Sequence, residues 1–287
     1  MPKEKIIILG HSGFVGSHLY RKLHRESIFE VFGFSINEIN LLDIRAYQKL
    51  ADICDEKTTI IMTAALLRNR GDNVSVLQDN IKMILNLANF LPSNKIKHLI
   101  YTGTVAIYGK TSKAPITETS PANPDSFYSS AKACGELILK RICEESDIVL
   151  TTLRMGRIYG KGDITSPIFN FSQNIILGKP IEIYGNGSHR FYCVHQNDLL
   201  EIVKRVIGEE IRGDYNVIPS SGITLLELAQ LLFELSGRRV EIKFKPAVYP
   251  PILLTFNTSK FRAIFGKFPF ISLQEGIKEY FTMPIIP

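Results

Sequence analysis

Five short apolar runs, at residues 5–9, 29–34, 58–62, 96–101 and 148–153, punctuate the first half of the chain and read as buried strands. Between several of them the apolar positions recur every three or four residues, which predicts helices over 17–24, 76–91 and 128–144. Strand and helix thus alternate up to residue 155, and the alternation predicts an α/β fold: a doubly wound parallel sheet with right-handed crossovers. The last third is different. Short strands at 181–184 and 240–244 mix there with helices at 167–177 and 225–236. Two stretches, Thr224-x-x-Glu227 and Ser272-x-x-Glu275, carry the spacing of a capping box and mark helix starts. The organisation expected is a first domain over residues 1–160, completed by about 191–219, and a smaller mixed α/β lobe over 161–190 and 220–287.

At the end of the first strand Gly10-His-Ser-Gly13-Phe-Val-Gly16 leads into a helix. Free N–H groups and the helix dipole at such a junction attract an anion. Gly10 permits the tight turn, Gly13 lets a pyrophosphate approach the backbone, and Gly16 lets helix and strand pack closely. A plain strand-to-helix turn would use similar residues, and the spacing is GxxGxxG where the dinucleotide fingerprint has GxGxxG. In this strand-turn-helix context we read dinucleotide binding, with Ser12, Phe14 and Val15 lining the same loop.

The second strand ends at Ser35, where NAD enzymes usually place an Asp or Glu for the ribose 2′-hydroxyl. With Ser35 and then Asn37, no carboxylate is expected there to repel a 2′-phosphate, although no Arg stands beside it either. The cofactor is therefore NAD or NADP, with the balance toward NADPH. Asp43, before Ile44, either edges the adenine or caps the next helix. Ala64 and Ala65, small residues at the end of the third strand, leave room for a cofactor, and Asn80, on an otherwise apolar helix surface, is either part of the cofactor site or only a satisfied buried amide.

Tyr128 and Lys132 stand four residues apart in FYSSAKACGE, which on a helix puts phenol and ammonium on one face. A Tyr is a poor base at neutral pH, but a neighbouring ammonium in a half-desolvated cleft favours the phenolate. So tuned, it can take a proton from an alcohol or return one. Tyr-x-x-x-Lys also arises by chance in many helices.

Composition narrows the setting. With 45% hydrophobic and 22% charged residues in 287, the chain has the balance of an ordinary globular protein. No apolar run is long enough for a membrane span, and the opening MPKEKIIILG is too short for a signal peptide, so a cytoplasmic protein is expected. Cys54, Cys134, Cys143 and Cys193 show neither CxxC nor zinc spacing, so we expect reduced thiols and no metal. The formal charge of +6 is scattered, which argues against nucleic acid and suits an anionic small substrate.

Seven motifs occur in order: GHSGFVG, MTAA, YTGTVAIYG, PITETSPANPDSFYSSAKACGE, LRMGRIYGKGD, GNGSHRFYCVHQND and ISLQEGI. Together they resemble the extended short-chain dehydrogenase/reductases, in particular the NAD-dependent epimerase/dehydratase group that acts on nucleotide sugars. The resemblance implies a Rossmann domain with a substrate lobe. It makes Tyr128 the acid/base, gives Lys132 the nicotinamide ribose, has Thr104 hydrogen-bond the reacting sugar oxygen, and puts Asn80 behind the site in a proton relay. Arg190 matches an Arg that grips the nucleotide diphosphate, a task that suits a guanidinium, though a surface salt bridge would also use it.

Departures from the group narrow the chemistry. Val105 and Ala106 follow Thr104, where dehydratases carry Asp-Glu, decarboxylases a Glu, and GDP-fucose synthases a Cys at the position of Ala106. Arg157 replaces an Asn near the diphosphate, and Lys-Pro-Ala-Val replaces an Arg-x-Gly-Asp stretch near residue 247. What remains is reduction of a 4-keto nucleotide sugar or 4-epimerisation with tightly bound NAD. The missing carboxylate at Ser35 tips the expectation to reduction. A reductase of small non-sugar ketones and a non-catalytic dinucleotide sensor are the other readings. Apolar residues Ile84, Leu87, Leu137 and Ile138 exceed what one sheet contact needs, so a homodimer through their two helices is expected; they could equally complete the core.

Overall fold

The computed structural model describes residues 3–67, 71–110, 115–247 and 253–281. Residues 111–114 of the loop between the fourth strand and Tyr128, and Val248 of the Lys-Pro-Ala-Val stretch, lie outside them. The chain opens with β1 (Glu4–Leu9), α1 (Phe14–Glu26), β2 (Phe29–Phe34), a 3-10 turn (Ile44–Tyr47) running into α2 (Gln48–Ala51), and β3 (Thr58–Met62). Then come α3 (Val74–Phe90), β4 (His98–Thr104), a 3-10 turn (Val105–Tyr108), α4 (Phe127–Glu145) and β5 (Val149–Met155). The remainder holds β6 (Arg157–Tyr159), α5 (Pro167–Ile176), β7 (Ile181–Tyr184), β8 (Arg190–Phe191), β9 (Cys193–His195), α6 (Gln196–Gly208) and β10 (Gly213–Val217). It ends with β11 (Ile223–Thr224), α7 (Leu225–Ser236), β12 (Ile242–Lys245), α8 (Ser259–Phe265) and α9 (Leu273–Phe281).

Two compact units divide these elements. Unit 1 comprises Met1–Gly109, Glu118–Met155 and Leu200–Asn216. Its centre is a six-stranded parallel sheet in the order β10-β5-β4-β3-β1-β2. The register aligns Ile7 with Ile60, Ile60 with Leu99 and Leu99 with Leu150, an apolar row across four strands. That row packs against Met83, Ile84 and Leu87 of α3 and Leu139 of α4. Neighbours of opposite pleat, Ile6, Ile8, Ile61 and Ile100, are equally inaccessible, so both faces of the sheet are covered. Each fully buried aliphatic side chain stabilises such a layer by about 1.5–3 kcal/mol.

Because β2 and β3 flank β1 on opposite sides, the strand order reverses at β1. Ligands of open α/β sheets bind outside the carboxyl ends of the strands at such a reversal. Gly10, Thr63-Ala64-Ala65 and Thr104 stand at those ends.

Unit 2 comprises Lys110–Thr117, Gly156–Leu199 and Val217–Pro287. Among its described residues are three two-stranded sheets, β6 with β9, β7 with β12 and β8 with β11. Ile181 and Ile183 of β7 form its core with Ile168 and Phe169 of α5, Leu228 and Leu232 of α7, and Ile277 and Tyr280 of α9.

Several bounds differ from the sequence expectation. The first domain gives way at Met155, not 160, and its return segment shortens from about 191–219 to Leu200–Asn216. The reason is that β6 pairs with β9, which draws both into unit 2. β4 runs on to Thr104 because its Thr-Gly-Thr end still pairs with β5, Gly103 against Arg154 and Thr104 against Met155; polar residues there hid the strand. α1 starts at Phe14, so Gly16 lies inside the helix rather than before it. Ile84 and Leu87 belong to the core of unit 1, and of the four residues expected to face a partner Leu137 is the exposed one. No described helix is long and apolar enough to cross a membrane.

Candidate active site

Gly13 is the N-cap residue of α1 and offers no side-chain cap, so the first-turn amides are open to a ligand. The turn is braced by the Gly13 amide on the Gly10 carbonyl (3.0 Å) and by the Gly10 amide on Phe34 (2.8 Å). Gly10 has φ +90°, and a Cβ there would lie 2.7 Å from the backbone of Ala64. A Cβ on Gly16 would collide with the Gly10 carbonyl. Glycine is therefore required at positions 10 and 16, while a Cβ on Gly13 would meet the Gly10 carbonyl at 3.3 Å; the tight turn and the open amides together fit a dinucleotide pyrophosphate. Ser12 is exposed at its tip, with Phe14 and Val15 half-buried in the first turn of α1.

A carboxylate does reach the end of β2, contrary to the sequence expectation. Glu38 accepts the Ser35 amide (2.7 Å) and the Ser35 hydroxyl, which hold its carboxyl below the usual carboxylate range. The sequence signal was present: Ser35-x-x-Glu38 has capping-box spacing, but no helix follows to draw notice to it. His11 of the glycine loop bears on the same carboxylate, and its Nδ1 is buried without a hydrogen-bond partner among the described residues. Asp43 caps the 3-10 turn by accepting the Arg45 amide (3.0 Å) and pairs with the Arg45 guanidinium (2.9 Å); Ile44 beside it is exposed.

α4 starts where it does because Ser126 and Ser129 form a reciprocal cap, each hydroxyl accepting the other's amide at 3.2 Å. The expectation of Glu or Gln in the fourth place made this box invisible in the sequence. Tyr128 thereby falls in the first turn, half-buried, and its amide donates to Asp72 (3.2 Å), a residue the sequence did not single out. One turn on, Lys132 is 5% exposed, donates to the Thr102 carbonyl (2.8 Å) and lies over the Tyr101 ring at 4.7 Å. Burial pulls its ammonium down to about 8, against the opposing pull of Glu136.

Thr102 precedes Thr104 by two residues on β4. Thr104 accepts the Ala106 amide (3.2 Å), which leaves its hydroxyl proton for another acceptor. Lys132, Tyr101, Ala64, Ala65, Asn80 and Ile84 line one small cleft. Asn80 is a satisfied buried amide: Oδ1 accepts the Leu66 amide (2.8 Å) and Nδ2 donates to the Leu66 carbonyl (3.0 Å). It thus fastens the segment that follows Ala64 and Ala65.

Arg157 and Arg190 belong to unit 2. Arg157 is exposed at the start of β6; burial first, and then the charges of Arg157 and Lys110, lower the pKa of His189. Arg190 donates to the Gly222 carbonyl (2.8 Å) and stands 3.7 Å from Glu227, so part of its capacity goes to the start of α7.

A sequence model of the NAD dependent epimerase/dehydratase family matches residues 6–217. Protein CapI of Staphylococcus aureus is 25% identical over 96% of this chain and 97% of its own length. The dTDP-glucose 4,6-dehydratase of Streptomyces niveus is 23% identical over 96% and 91%. Among solved structures, the UDP-glucose 4-epimerase of Thermotoga maritima with UDP-glucose superposes with a TM-score of 0.84 at 24% identity, covering 97% of this chain and 98% of that one.

Proposed function

Because the chain belongs to the NAD dependent epimerase/dehydratase family of extended short-chain dehydrogenase/reductases, we propose that it moves a hydride at C4 of a nucleotide-diphosphate sugar while Tyr128 handles the proton. The observation that carries this reading is Lys132, buried, tied to β4 and one helical turn from Tyr128. Gly10, Gly13 and Gly16 would hold the cofactor pyrophosphate, Ser35 and Glu38 the adenosine ribose, and Lys132 the nicotinamide ribose. Once bound, the nicotinamide supplies an acceptor or donor for the hydride.

Tyr128 as phenolate takes the proton of the C4 hydroxyl as that carbon becomes a ketone, and gives it back in the reverse direction. The Lys132 ammonium favours the phenolate, and so does the helix N-terminus, by about 0.3–1 kcal/mol. Thr104, with its oxygen already accepting from Ala106, donates to the same sugar oxygen. Arg157 and Arg190 are the proposed contacts of the diphosphate, and Ala106 lies beside the sugar without an acid to drive elimination.

Glu38 alters the balance between reactions. The expectation of exchangeable NADPH rested on an end of β2 free of carboxylates, and Glu38 stands there. A carboxylate favours a free 2′-hydroxyl over a 2′-phosphate. NAD retained through both half-reactions, and hence 4-epimerisation, is the reading we put first. Reduction of a 4-keto sugar with NADPH is second, favoured by His11 of the glycine loop, whose Nδ1, unpartnered among the described residues, is a candidate hydrogen-bond donor to a 2′-phosphate.

Purified protein assayed with UDP, dTDP, GDP and CDP sugars separates these. Near-stoichiometric NAD released on denaturation, with C4 epimers interconverted without added cofactor, is the expected result. Empty protein that oxidises NADPH only with a keto sugar selects reduction. Indifference to every nucleotide sugar, with reduction of small ketones or with no turnover at all, overturns the proposal. A homodimer through α3 and α4, where Leu85 and Leu137 are 45% and 71% exposed, belongs to the same proposal. Monomers in light scattering at micromolar concentration contradict that part.

A further inference from the structure

Beyond the groups that would meet substrate lies a buried ion pair that the reaction as described does not use. Glu136 follows Lys132 by one turn of α4, and its side chain is 8% exposed. Its Oε2 accepts two bonds from Arg154 of β5, from Nε at 2.9 Å and from Nη2 at 2.8 Å. Arg154 is fixed in turn by the Tyr108 hydroxyl (3.0 Å) and the Glu118 carbonyl (2.8 Å), and stands 3.4 Å from Asp214.

The other carboxylate oxygen is the informative one. Oε1 is buried and has no hydrogen-bond partner among the described residues. A Cβ on Gly103 would lie 2.7 Å from it, so the strand carries glycine where the oxygen comes closest. Gly103 sits between Thr102, whose carbonyl binds Lys132, and Thr104. A carboxylate that served only to neutralise Arg154 would be expected to use both oxygens in a fork. Here one oxygen is left beside the strand end that anchors the lysine.

We propose that Glu136 is a positioning residue that keeps the buried Lys132 ammonium charged, with Arg154 holding its carboxylate in place. The proposal rests on the reading of Tyr128 and Lys132 as the proton-handling pair. The groups that face the lysine are the Tyr101 ring from β4, Asn80 in the cleft from α3, and Tyr128 and Glu136 from its own helix. Glu136 faces Arg154 from β5 and Asp214 from β10 besides. Of these, Glu136 is the carboxylate that bears on Lys132, and it counters the burial that favours a neutral amine.

The test is a titration of the full-length, ligand-free protein labelled with ¹³C at lysine Cε, the Lys132 signal being identified by its loss in Lys132→Met. Glu136→Gln should lower the Lys132 midpoint by about one pH unit, at the low end for an opposite charge because Arg154 shares the carboxylate. The alkaline limb of kcat/KM should move down with it, whereas Glu136→Asp, which keeps the charge, should leave the limb near its wild-type place. A smaller rate with both limb and Lys132 midpoint unmoved in Glu136→Gln would mean a purely structural pair and overturn the proposal. Should Glu136→Gln fail to fold, coupling is reciprocal: Lys132→Met must raise the Glu136 midpoint, read at ¹³Cδ, by a similar amount. An unmoved Glu136 midpoint overturns the proposal as well. Neither titration needs substrate, so a wrong substrate class would leave both intact.

Discussion

The carboxylate of Glu38 accepts hydrogen bonds from both the backbone amide and the hydroxyl of Ser35, closing the end of β2 with a negative charge. If that charge holds the adenosine ribose, Glu38→Ala should weaken NAD binding by roughly 10- to 100-fold, the worth of a hydrogen bond to a charged group. NADP should lose far less, so the preference narrows. Fluorescence titrations with both dinucleotides read the ratio, and an unchanged ratio contradicts the role.

Lys132 makes the stability of the protein depend on pH in a defined direction. Its ammonium falls from an ordinary value of 10.5 to about 8 on folding. Between those values the unfolded chain binds more protons than the folded one, so this group's contribution to stability rises with pH across that window. Lys132→Met removes the penalty. It should be more stable than wild type at pH 7 by up to about 3 kcal/mol, an advantage that shrinks toward pH 10.5. Urea unfolding of the ligand-free proteins at pH 7 and 10 checks this; an advantage that does not shrink with pH contradicts it.

Gly10→Ala combines a left-handed backbone with a contact at 2.7 Å to Ala64, so it should cost about 1–3 kcal/mol and abolish dinucleotide binding. Gly178 also has positive φ, at +66°, but nothing lies within 4 Å of its Cβ position. Gly178→Ala should therefore bind dinucleotide normally, at a smaller loss of stability. Equal binding by the two variants would show that the loop does not cradle the cofactor.

Where periodicity carries the information, the sequence was legible. The strands Phe29–Phe34, Thr58–Met62 and Ile181–Tyr184 and the helix Leu225–Ser236 have the bounds that their apolar spacing and the Thr224 cap imply. The glycine spacing led directly to the cradle over Ala64. What stayed hidden depends on contacts far apart in the chain or on unusual partners. Glu38 folds back onto Ser35 without a helix to announce it, Asp72 caps α4 from 56 residues away, and Arg154 meets Glu136 across two elements. Ile84 and Leu87 looked surplus on one helix because a sequence does not display how much sheet lies opposite.

The central claim is that Tyr128 carries the proton of a reaction at a nucleotide sugar, and the Tyr128→Phe variant tests it most directly. Turnover of the sugar identified in the panel should fall by about two to four orders of magnitude, while dinucleotide affinity and unfolding stability stay near wild type. Turnover at the wild-type rate in that variant would contradict the account.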